Sequence, residues 1–350
     1  MTVATRAGGF CERFGLRLPI LEAPMAGACP PPLAVAVAEA GGMGASGVLL
    51  DGPERIAEWM ERFRAGSSGA VQLNIWIPDA PRDDQARIDV ASGFLARFGT
   101  PGEPGPAGPV FEQQCEAMLA ARPTVISSIM GLFDADYVRR LHDHGIAWFA
   151  CAITLDDALA AQEAGADAIV AQGMEAGGHR GSFDSDAAER TEVGLFSLLP
   201  RFADHLRVPI VASGGIADGR GVAAALALGA SAVQVGTALL RTPEAGIDPR
   251  WSAALEGLAP EDTATTRAYS GRLGRAVPTP YVRAWREPGA PLPAPYPHQR
   301  RLVGRWRRGG ATGVDPVNQW AGQSAALATE EPAGEIVARM WRDAKELLQT

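Results

Sequence analysis

Apolar residues along this chain fall into two alternating patterns. Near-continuous apolar runs at 19–26 (PILEAPMA), 43–48 (MGASGV), 70–77 (AVQLNIWI) and 124–130 (TVISSIM) read as strands. Four more follow at 147–153 (AWFACAI), 168–172 (AIVAQ), 209–213 (PIVAS) and 232–236 (AVQVG). Strands buried on both faces lose the polar–apolar alternation, as parallel strands packed between helices do. Amphipathic stretches separate the runs, for example 32–41, 53–64, 154–165 and 217–229. The third opens on Thr154, suited to cap a helix N-terminus, and stops at Gly165; the fourth stops at Gly229. Eight strand–helix repeats predict an α/β fold, a closed (β/α)8 TIM barrel in preference to an open doubly wound sheet.

Two segments break the repeat. Residues 79–122 interrupt the third strand–helix connection with a helical stretch and a Pro/Gly patch at 100–109 (TPGEPGPAGP), which cannot be regular structure. Residues 243–350 follow the last strand, carry Pro288, Pro291, Pro293, Pro295 and Pro297, and end in an amphipathic helix near 331–348. The chain has 350 residues, and a barrel takes roughly 250 of them. The expected division is a barrel at 1–78 and 123–242, with 79–122 and 243–350 forming a smaller, mainly helical cap and C-terminal helices.

Composition narrows the function classes. A net charge of −8 argues against general nucleic-acid affinity. Cys11, Cys29, Cys115 and Cys151 form no CxxC pair, no zinc-ligand spacing occurs, and Cys29 and Cys151 sit in apolar segments as core residues. Apolar runs fall short of the ~18 residues that span a bilayer, and the N-terminus lacks a signal-peptide layout. These features predict a soluble, cytoplasmic protein with reduced thiols.

The richest chemistry lies at 168–183 (AIVAQGMEAGGHRGSF). A buried strand ends at Gln172 and delivers Gly173, Gly177, Gly178, His179 and Gly181 to the C-terminal mouth, where barrel active sites form. Glycines let backbone pass close to a ligand. His179 is the candidate base, expected to titrate near neutrality. His142, His144, His205 and His298 have no such context and read as surface histidines. At 209–237 two glycine-rich turns, Gly214-Gly215 and Gln234-Val235-Gly236-Thr237, follow strands seven and eight, the usual barrel phosphate site. Without a Walker lysine motif, that phosphate suggests a mononucleotide cofactor.

Gly42-Met43-Gly44-Ala45-Ser46-Gly47 matches G-x-G-x-x-G but has a helical run before it and a strand through it, the reverse of the dinucleotide fingerprint. Asn74 is a polar residue in the third strand, either a ligand contact or an inert strand-end amide. Met25, after the first strand, could pack on a ring face or simply fill core. The run 300–308 (RRLVGRWRR) holds five arginines and reads as a solvated face, with anion binding or an oligomer contact as the alternative.

Gln172 to Gly181 (QGMEAGGHRG) resembles the signature of bacterial nitronate monooxygenases, formerly called 2-nitropropane dioxygenases. Ala23-Pro24-Met25, Asn74, Gly214-Gly215-Ile216, Gln234 to Thr237, 269–276 (YSGRLGRA) and Trp320-Ala321-Gly322-Gln323 extend the similarity over nearly the whole chain. The resemblance implies a barrel holding FMN through Asn74, Gln172, Gly177, Gly215 and Gln234, Val235, Gly236 and Thr237, with Met25 near the ring and His179 as base. It implies a smaller substrate-binding cap over an FMN-binding barrel, and oxidation of alkyl nitronates, with nitroalkanes as further candidate substrates, by O2 to a carbonyl compound and nitrite. The expected partners are a small nitronate and O2, without nucleic acid, membrane or metal, in a monomer or homodimer. The histidine loop is shared with flavin-dependent enoyl-ACP reductases, so an NAD(P)H-dependent flavin reductase is the alternative. A non-catalytic flavin-binding protein and a flavin-free phosphate-binding barrel rank below it.

Overall fold

The computed structural model describes residues 2–80, 82, 84–315 and 317–349. All eight apolar runs form strands: β1 (Ile20–Glu22), β2 (Gly44–Gly47), β3 (Val71–Trp76), β4 (Val125–Ile129), β5 (Ala147–Ala152) and β6 (Ala168–Gln172) come first. A two-residue strand, β7 (Gly178–His179), precedes the last two barrel strands, β8 (Ile210–Ser213) and β9 (Ala232–Val235). Neighbours pair in parallel in the order β1-β9-β8-β6-β5-β4-β3-β2. A parallel bridge between Leu21 and Met43 closes the ring, with Glu22 N–H donating to Met43 O at 2.9 Å. The (β/α)8 barrel follows.

The glycines of the G-x-G-x-x-G match serve this closure. A Cβ on Gly42 would lie 2.4 Å from Ile20 O, and one on Gly44 would lie 2.5 Å from Ala34 O. Only glycine lets β2 come so close to both β1 and the helix Pro31–Glu39. Helix ends follow local chemistry as well. Thr154 accepts from Asp157 N–H at the start of helix Leu155–Glu163, and Asp218 caps helix Gly219–Ala227.

A second hydrophobic core lies beside the barrel's own. It joins Ala91, Phe94 and Leu95, from the 79–122 insertion, to Tyr269, Tyr281, Trp285, Val303 and Trp306 from the C-terminal segment. This is the smaller, mainly helical cap. Helix Gln85–Leu95 packs against helix His298–Gly309 within it. Arg305 and Arg308 donate to Gly102 O at 3.2 Å and Glu103 O at 3.0 Å, pinning the Pro/Gly patch along that helix. Helix Phe111–Ala121 and the terminal helix Ala333–Leu348 take a different side. They contribute Cys115, Met118, Ile336, Val337 and Met340 to the barrel's core.

The cap reaches into the barrel through β10 (Ala264–Thr266) and β11 (Gly274–Ala276), which form an antiparallel sheet with β7. His179 pairs with Gly274, so the histidine loop is clamped as an edge strand rather than left free.

Candidate active site

The strand ends and the cap enclose a cavity of about 420 Å3. Met25, Asn74, Gln172, Gly177, His179, Gly215, Gln234, Gly236 and Thr237 all line it. Val235 does not: it is fully buried in β9 and packs into the barrel core, because alternate residues of a strand face opposite sides.

On the barrel side the groups are amides and backbone. Asn74 donates to Ser127 Oγ at 2.9 Å, and Gln234 accepts from Gln72 at 3.1 Å. Gln172 braces the histidine loop from within, donating to His179 O at 3.0 Å and accepting from Gly181 N–H at 2.9 Å. Gly214 and Gly215 adopt φ of 119° and 69°, left-handed conformations that strain any side chain. Among the described residues no acceptor takes the N–H of Gly215 or Gly236. A Cβ on Gly236 would come within 3.2 Å of Ala23 Cβ. The two turns therefore make a shallow cradle of uncommitted donors, the chemistry a phosphate requires.

The opposite wall carries side chains. His179 sits between Trp76 and Trp320, with ring centroids 4.5 Å away in each case. Its Nε2 lies 2.7 Å from Ser270 Oγ. Burial lowers its pKa to about 3, helped by the positive charges of Arg272 and Arg300. Against the expectation of a histidine titrating near neutrality, its surroundings thus favour the neutral imidazole.

Positive charge at the cavity comes instead from the arginine run that reads in the sequence as a solvated face. Arg300, Val303, Gly304 and Arg307 line the cavity from one face of helix His298–Gly309, while Arg301, Arg305 and Arg308 face outward. Neither Arg300 nor Arg307 has a carboxylate within salt-bridge distance among the described residues, and Arg307 Nε is buried without a partner. The spacing i, i+3, i+4, i+7 was the available signal. A count of charges hid it, since five arginines looked like one solvated surface. Ser270, Trp76 and Trp320 were likewise not named as site residues, although Ser270 and Trp320 lie in the YSGRLGRA and Trp320-Ala321-Gly322-Gln323 segments that carry the resemblance. His142, His144 and His205 are exposed, and His298 lies at the start of the arginine helix outside the cavity lining. Cys11, Cys29, Cys115 and Cys151 are all free, and Cys29 and Cys151 are buried. No group of metal-binding residues occurs, and no helix is long and apolar enough to cross a membrane, among the described residues.

A closed parallel barrel with uncommitted backbone donors after its last two strands, and a histidine and two arginines on one cavity wall, has the layout of a barrel enzyme. Comparison with known proteins narrows the class. The family described as "Nitronate monooxygenase" matches residues 11–343, and this chain belongs to it. It is 37% identical to the nitronate monooxygenase of Paraburkholderia phytofirmans, covering 100% of this chain and 98% of that protein. It is 35% identical to the nitronate monooxygenase of Pseudomonas aeruginosa, covering 94% and 96%. Among solved structures, nitroalkane oxidase from Streptomyces ansochromogenes superposes with a TM-score of 0.86 at 33% identity, covering 95% of this chain and 97% of that one. FabK from Thermotoga maritima gives 0.76 at 27% identity, covering 97% of each. The chain is an oxidoreductase with nitronate monooxygenase activity.

Proposed function

We propose that the cavity holds FMN on its barrel side, that the cap arginines hold the nitronate anion, and that His179 serves as base when the substrate arrives as a neutral nitroalkane. The observation that carries this reading is an imidazole that shares the cavity wall with two arginines lacking carboxylate partners among the described residues. FMN fits the donor set: Gly215 and Gly236 offer backbone N–H groups to a phosphate, as would Thr237 beside them. Asn74, Gln172, Gly177, Gln234 and Met25 line the space for the ring. FMN held there would supply the electron-transfer chemistry between nitronate and O2 that yields a carbonyl compound and nitrite.

The protein's own residues do the rest. A neutral His179 takes the α-proton of a nitroalkane, and the resulting anion faces Arg300 and Arg307 instead of a carboxylate. Trp76 and Trp320 exclude water around the imidazole and fix its plane. In this reading the barrel is the cofactor domain, and the cap selects the substrate.

His179→Ala tests the base directly. The expected loss in kcat/KM on a neutral nitroalkane is ~10²–10⁴-fold, well beyond the loss on the preformed nitronate. Equal losses on both substrates would sink the assignment. Heat-released cofactor that chromatographs as FMN, in one equivalent, supports the cofactor reading; a colourless protein removes it. Reduction of the bound flavin by NADH alone, and not by a nitronate, would move the chain to the reductases.

A further inference from the structure

Ser270 is buried and lies on the cap turn that faces His179, outside the strands and loops of the barrel. Its hydroxyl has three neighbours. His179 Nε2 is 2.7 Å away, Arg272 N–H donates to it at 3.2 Å, and Arg272 O lies 3.4 Å away as an acceptor. A hydroxyl has one proton to give and two lone pairs to offer. With Arg272 N–H on one lone pair, the other can accept from Nε2–H while the hydroxyl proton turns to Arg272 O.

The turn itself is fixed firmly. The Arg272 side chain is 2% exposed, and its guanidinium forks onto Asp79, with Nε donating to Oδ2 at 2.8 Å. Nη1 donates to Ser182 O at 2.8 Å, just beyond the histidine loop. Arg272 thus ties the Ser270 turn to the segment after β3 and to the segment after β7. Such an arrangement holds a buried serine at one distance from one ring nitrogen. Nothing about simple packing requires a hydroxyl there.

We infer that Ser270 is a positioning residue for proton transfer: it keeps the proton of neutral His179 on Nε2, so that Nδ1 carries the free lone pair that removes the substrate's α-proton. The inference rests on the base assignment above. In the step, the α-proton moves to Nδ1 and the C–H electron pair becomes the C=N bond of the nitronate. The imidazolium so formed keeps Nε2–H donating to Ser270 Oγ, whose own proton remains on Oγ and points at Arg272 O. No further acid, base or redox partner is needed. The same hydroxyl therefore serves the neutral ring before transfer and the charged ring after it.

The test uses the full-length holoenzyme with 15N-labelled histidine, whose five imidazoles are read by long-range proton–nitrogen spectra. Signals missing from His179→Asn identify His179. The wild type should show a single tautomer with the proton on Nε2, and Ser270→Ala a mixture of both. Ser270→Thr, which keeps the hydroxyl, should restore the single tautomer. In parallel, the ratio of kcat/KM on a neutral nitroalkane to that on its preformed nitronate should fall ~10–100-fold in Ser270→Ala and recover in Ser270→Thr. A wild-type proton on Nδ1, or a Ser270→Ala protein with unchanged tautomer and ratio, would overturn the inference. If His179→Ala itself leaves the ratio unchanged, the base assignment fails instead, whereas a collapse there with an intact Ser270→Ala ratio removes Ser270 alone.

Discussion

The barrel and the cap meet at one cavity but supply it in different ways. Apart from Trp76 at the end of β3 and His179 on β7, the barrel offers mainly backbone N–H groups and short amides at the ends of its strands. The cap offers long cationic and aromatic side chains from a single helix, a tight turn and a late segment around Trp320. Their cores differ in the same sense. The barrel interior is mostly aliphatic, whereas the cap core is a run of stacked rings. Trp306 stacks on Tyr281 at 5.1 Å, Tyr281 on Tyr269 at 5.4 Å, and Tyr269 meets Trp320 edge-on at 5.0 Å. Trp320 in turn touches His179. A cofactor common to many chemistries can be held by strand geometry, which tolerates little change. Under the proposed function, the cap that selects the substrate is a separately packed unit whose side chains can change without disturbing the ring of strands.

Removing a ring from the stack is the strongest way to break this division. Trp306 is 1% exposed, and Trp306→Ala should cost about 3–5 kcal/mol in the cap. Hydrogen exchange should accelerate across 264–306 while amides of β4, β5 and β6 stay protected. Uniform acceleration in both regions would show one cooperative unit and erase the distinction.

A buried carboxyl in the barrel makes the next largest effect, with its own pH signature. Glu22 is fully buried in β1, and its Oε2 accepts from Ala45 N–H at 2.8 Å. Its Oε1 has no partner, and burial raises the pKa from 4.5 to about 8. Because the folded state binds this proton more tightly, the stability it contributes is complete below the ordinary 4.5 and drains away as pH rises through about 8. Glu22→Gln cannot ionise. Urea midpoints at about pH 5 and pH 8 should therefore diverge for the wild type by the equivalent of a few kcal/mol more than for the variant. Parallel losses in both proteins would mean that Glu22 is already ionised in the fold.

The smallest of these effects sharpens the cap's share of binding. Arg300→Gln removes one of two cationic groups facing the cavity, a change worth about 1.5–3 kcal/mol for a hydrogen bond to a charged group. KM for a nitronate should rise roughly 10–100-fold with little change in kcat, and flavin content should stay constant. Loss of flavin would instead place Arg300 on the cofactor side.

Much of the barrel was legible because its rules are local. Apolar runs of strand length, caps such as Thr154 and glycine stops at Gly165 and Gly229 each state their structure within a few residues. The loop from Gln172 to Gly181 and the turns at Gly215 and Gly236 could be read as mouth and cradle, since strand ends fix where backbone must face a ligand. Val235 was the exception within that set. Naming a motif as a block ignored the alternation that sends one residue inward and the next into the core.

The ring of strands, the histidine at its mouth and the glycine turns follow from near neighbours along the chain. That Arg300 and Arg307 face the cavity, that Ser270 meets His179, and that burial pushes the imidazole's pKa down follow from the assembled fold. Those facts depend on which helix face packs against the aromatic core and on how much water the packed cap excludes. Burial and the field of distant charges are properties of the assembled chain, and no local pattern carries them.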